Sequence, residues 1–77
     1  MTTLTVAVRG EIRAEMARKG IGQKVLAEAW GISQSGVAHK LAGRSRITDR
    51  EIDTAAQLLG YDPFDFVARA GANASAA

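Results

Sequence analysis

The stretch "GISQSGVAHKLAG", Gly31 to Gly43, reads as a short helix entered through a glycine turn, and its first turn carries Gln34, Ser35 and Gly36. Ser35 and Gly36 are small and weak helix formers. A chain of 77 residues has little length to spend on a weakened helix, so the composition of that turn needs a reason. Ser33 is placed to cap the helix, which the pattern runs from Gln34 to Ala42, and Val37 and Leu41 form its inner side. At roughly 100° per residue, Ser35 and His39 then face outward and Gln34 projects at the tip. An outward, uncharged first turn is what reading base edges requires. Glutamine pairs with adenine N6 and N7, serine donates or accepts, and glycine lets the backbone approach the groove floor. If the partner is duplex DNA, Gln34, Ser35, Gly36 and His39 are the candidate base contacts.

Working outward, Gln23 to Trp30 forms a preceding helix with Leu26 and Trp30 inward and Ala27 small enough for close approach. Gly31 ends it where a left-handed residue is wanted. Two short helices across such a turn make a helix-turn-helix. Upstream, Leu4, Val8, Ile12 and Met16 recur every fourth residue. They predict a helix from about Thr5 to Lys19, stopped by Gly20, with the first few residues loose. The run "TLTVAV" also alternates like a strand, and Gly10 weakens a helix there. Downstream, "TDRE", Thr48 to Glu51, is a capping box opening a helix to Leu59, with Ile52, Ala55, Ala56 and Leu59 inward. "DPFD" opens a fifth helix, with Asp62 as cap and Pro63 at the first helical position. "GANASAA", 71–77, has no large apolar residue and reads as a frayed tail. The expectation is one all-α domain of five short helices over residues 1–70, followed by that tail.

The net charge of +2 conceals an uneven distribution. Lys40, Arg44, Arg46 and Arg50 face only Asp49, whereas Glu51, Asp53, Asp62 and Asp65 face only Arg69. A basic stretch beside an acidic one suits oriented contact with a polyanion. With no cysteine and one histidine, thiolate and His-rich metal sites are excluded, and no cofactor is expected. No apolar run approaches the roughly 20 residues that span a bilayer, and "MTTLTVAVRGE" lacks the pattern of a secretory leader. A cytoplasmic protein without membrane contact is the expectation. "GISQSG" is not a nucleophile elbow, because its fifth residue is Ser35 rather than glycine and no strand precedes it. An enzyme is not expected.

The segment "KVLAEAWGISQSGVAHKLAG" resembles the helix-turn-helix of the lambda-repressor-like (XRE- and Cro-type) DNA-binding proteins. The resemblance extends over about Ile12 to Val67 and includes "LLGYDPFDF". It implies a sequence-specific regulator of transcription, a Cro-like or single-domain repressor of a phage or mobile element, bound to double-stranded operator DNA. It implies that Gln34 and Ser35 read bases, that Gln23 contacts phosphate, and that the loop of Arg44, Ser45 and Arg46 lies along the DNA backbone. Lys24 and Lys40 are further backbone candidates. The chain departs from the family pattern at Gly22, where a serine or threonine commonly caps, and in lacking a basic N-terminal arm. In the fifth helix Phe64, Val67 and Ala68 share one face and Phe66 lies about 200° from Phe64. Both phenylalanines cannot face one core. Phe66 is expected to be exposed, at the interface of a weak homodimer that strengthens on DNA. The rival expectation is a helical protein-interaction module with "GRSRITDR" as its docking loop; an antitoxin is a third.

Overall fold

Side-chain oxygens start four of the five helices in a computed structural model of the protein, which describes residues 3–76. Thr3 opens α1 (Leu4–Lys19) by accepting from the Val6 amide, and Ser33 opens α3 (Gln34–Leu41) by accepting from the Gly36 amide at 3.0 Å. Thr48 and Glu51 complete the reciprocal capping box of α4 (Asp49–Leu58). Asp62 Oδ1 receives the Phe64 and Asp65 amides at the start of α5 (Pro63–Ala76). Only α2 (Gln23–Trp30) begins without such a cap, at Gly22. No strand occurs among the described residues, so the alternation in "TLTVAV" yields to the helix that Thr3 caps. No described helix is long and apolar enough to cross a membrane.

α1 packs along α5, while α2 packs on α3 and α4, with α4 also meeting α1 and α5. Where α2 turns into α3, Gly31 takes a φ of 70°, and the Ile32 amide returns to the Ala27 carbonyl at 3.1 Å. The left-handed residue costs a glycine little and reverses the chain within a few residues. Val37 and Leu41 then point into the core beside Leu26 and Ala27, as the periodicity requires. Trp30 is half-buried rather than enclosed, and its indole N–H donates to the Glu51 carbonyl at 2.9 Å. Ile47, in the loop before α4, is buried as well, although nothing periodic marks it.

The inward face of α1 is Val8, Glu11, Ile12, Glu15 and Met16, and Leu4 at its start is exposed. Two expectations differ from the structure. Phe66 is the buried phenylalanine, 0% exposed, and Phe64 is 87% exposed, the reverse of the sequence expectation. Residues 71–76, expected as a tail, continue α5 to Ala76, while residue 77 lies outside the described residues.

One cause underlies both. The inward stripe of α5 is Phe66 and Ala70, and the small Ala70 allows α1 to come close. The turns around that stripe are held by polar groups: Arg69 Nε donates to Glu11 Oε2 at 3.1 Å, and Asn73 Nδ2 donates to Glu11 Oε1 at 2.9 Å. Glu15 accepts from the Tyr61 hydroxyl at 2.7 Å, and the Tyr61 ring lies tilted against Phe66 with centroids 5.5 Å apart. Buried carboxylates are tolerated only when partnered. Glu11 and Glu15 therefore dictate which side of α5 turns inward.

The same network sets the pH range of stability. The Tyr61 hydrogen bond holds the Glu15 carboxyl below its usual value of 4.5, outweighing the opposing effect of burial, with Arg18, Arg69 and Lys19 assisting. Reciprocally, the bond to Glu15, aided by burial, raises the Tyr61 hydroxyl above its usual 10.0. A lowered carboxylate contributes stability that is complete above the unfolded value and lost as pH falls through the folded one. A raised phenol contributes stability that is complete below its unfolded value and lost as pH rises. The melting temperature is thus expected to decline below about pH 4.5 and above about pH 10. Tyr61→Phe should blunt both limbs; a pH profile of melting identical to that of the parent protein would remove this pair from the account.

Candidate nucleic-acid interface

The outward side of α3 is where the sequence places it. Gln34, Ser35 and His39 are exposed while Val37 and Leu41 are buried beneath them. Gly36 is half-buried, and a β-carbon there would sit 3.3 Å from Ile32 Cδ1, so the glycine also makes room for Ile32. Packing therefore accounts for part of the opening puzzle, and the two exposed residues Gln34 and Ser35 carry the rest.

Gln23 and Lys24 are exposed at the start of α2. Gln23 shares a small surface cleft with Gly22, Leu41 and Arg13 of α1. Arg44, Ser45 and Arg46 are exposed in the loop after α3. Lys40 is engaged within the protein. Its Nζ donates to Glu51 Oε1 at 2.9 Å and to the Arg46 carbonyl at 2.8 Å, and its side chain is only 17% exposed. Held in this way, Lys40 is paired within the protein and ties the basic loop to the first turn of α4. Burial pushes the Glu51 carboxyl upward. The Lys40 hydrogen bond, the Thr48 backbone amide and the Lys40 charge more than reverse this, leaving it below 4.5.

Lys40→Met should accordingly loosen the loop without emptying the core. The expected result is faster hydrogen exchange at Arg44 to Thr48 and little change in the core amides of α1. Unchanged exchange in the loop would show that the anchor is dispensable.

The structure also brings forward a residue that the sequence reading passed over. Gly43 has a φ of 84°, and a β-carbon placed on it would lie 3.0 Å from Arg9 Cζ and 3.1 Å from both terminal nitrogens. Arg9 of α1 thus rests its guanidinium on the turn that leads into Arg44 and Arg46. A third arginine joins the loop from 34 positions away in sequence, a separation no local motif could reveal.

Phe66, expected at a dimer interface, is withdrawn into the core and takes no part in the surface. Phe64 instead projects at the rim of an open groove of about 760 Å³, lined by Leu4, Ile47, Ile52 and Val67, with Arg46, Asp49 and Asp53 along it. Among the described residues no group of three or more His, Asp or Glu side chains is placed to hold a metal ion. Comparison with protein-family models, with curated proteins and with solved structures finds no match to this chain.

Proposed function

We propose that this protein is a sequence-specific double-stranded DNA-binding regulator of transcription, a repressor of the lambda-repressor-like kind. In this reading α2 and α3 form the helix-turn-helix and α3 enters the major groove. The observation that carries it is the polarity of α3 and its flanks. An uncharged first turn with exposed Gln34 and Ser35 stands at one end, and exposed Arg44 and Arg46 follow the other. Base edges are read by neutral hydrogen-bonding groups, and phosphates are held by cations.

The groove beside Phe64 supports a two-fold assembly on the DNA. A two-fold contact uses the same patch on both copies, so it needs a projection and a recess side by side. Phe64 is the projection and the groove is the recess. A second copy seated there leaves two recognition helices to read half-sites roughly 34–36 Å apart.

Selection of bound fragments from a random duplex pool tests the reading directly. The expected product is a palindrome whose half-sites lie about one helical turn apart. Enrichment of no sequence, together with weak binding that ignores salt, would transfer the protein to the class of helical interaction modules.

A further inference from the structure

Two arginines of α1 border the interface described so far without a contact to DNA assigned to them. Arg9 lies against Gly43, and Arg13, one helical turn further along, is exposed in the cleft with Gly22 and Gln23. Residues four apart on a helix share a face and sit roughly 6 Å from each other. The pair therefore forms a ridge whose ends touch the two segments already assigned to the DNA backbone: the loop after α3 and the start of α2. Among the described residues neither arginine has a carboxylate within ion-pair distance, although Glu11 and Glu15 lie on the same helix. Those glutamates turn inward to Arg69 and Tyr61 and leave the arginine side of α1 purely positive. Like charges at this spacing repel one another, and a polyanion lying along the ridge relieves that repulsion.

We infer that Arg9 and Arg13 bind successive phosphates of duplex DNA, so that α1 supplies a second row of backbone contacts beside the helix-turn-helix. This rests on the DNA-binding reading above. It also assigns a purpose to Gly43: any side chain there would displace the Arg9 guanidinium from the loop, besides straining a backbone of positive φ.

The test uses the full chain and a labelled mixed-sequence duplex, with binding followed by anisotropy across a range of sodium chloride concentrations. Arg9→Gln and Arg13→Gln are each expected to lower the slope of log K against log salt by about 1, and the double variant by about 2. Arg9→Lys should retain the parent slope, which a purely structural guanidinium would not predict. Melting curves check that the folds are intact. Should Arg9→Gln unfold, Arg13→Gln decides, since Arg13 is exposed and unpaired. A double variant that keeps the parent slope and affinity overturns the ridge while leaving the helix-turn-helix reading in place. A parent protein that binds no duplex at low salt overturns both.

Discussion

Phe66→Ala is expected to lower the free energy of unfolding by about 3–5 kcal/mol, the range for truncating a fully enclosed aromatic side chain. A core of this size typically supplies only about 3–5 kcal/mol of net stability. The variant should therefore be largely unfolded at 25 °C. Phe64→Ala should change stability by no more than about 0.5 kcal/mol, because its ring is already in water. The two side chains are chemically identical and two positions apart, so the contrast reports only which way α5 is turned. Denaturant titration of both variants measures it. Equal losses would mean that α5 is rotated from the described setting and that the groove beside Phe64 does not exist as drawn. The stable variant has a second use: if two copies meet at that groove, Phe64→Ala should weaken cooperative binding to a palindromic duplex while sparing binding to a single half-site.

That contrast also marks where the sequence stopped being legible. Caps, glycine stops and the inner faces of α2 and α3 were readable because they depend on neighbours within one or two turns. Ser33, Gly31, Val37 and the Thr48–Glu51 box all stand where the local pattern puts them. The setting of α5 depends on contacts between residues 46 to 62 positions apart. By apolar periodicity alone, Phe64, Val67 and Ala68 make a better stripe than Phe66 and Ala70. The glutamates of α1 reverse that preference by fixing Tyr61, Arg69 and Asn73. A rule that treats glutamate as a surface residue cannot see this, and the same rule hid the helical course of 71–76. In the candidate site, the exposed Gln34, Ser35, Arg44 and Arg46 were visible as residue types in a motif. The anchoring role of Lys40 was not, because only the fold brings Glu51 within reach of its ammonium group.

Gln34 and the loop arginines should separate cleanly in their effects on DNA binding. Gln34 is neutral and stands exposed on the first turn of α3, so the interactions it offers are directional hydrogen bonds to a base edge. Gln34→Ala is expected to cost about 1–3 kcal/mol on the selected site and to relax preference at one base position. Binding to a scrambled duplex should barely change, since non-specific affinity comes almost wholly from phosphate neutralisation. Arg44 and Arg46 are charged, exposed and held on a loop that Lys40 ties to Glu51 and the Arg46 carbonyl. Replacing either with alanine should weaken selected and scrambled duplexes alike and lower the salt slope by roughly 1. The measurement is a salt titration of the parent protein and the three variants on both duplexes. Two ratios then decide the assignment: selected over scrambled affinity, and slope over parent slope. Gln34→Ala should change only the first, and the arginine variants only the second. If Gln34→Ala weakens both duplexes equally, Gln34 does not read a base, and the register of α3 in the groove must be shifted toward His39.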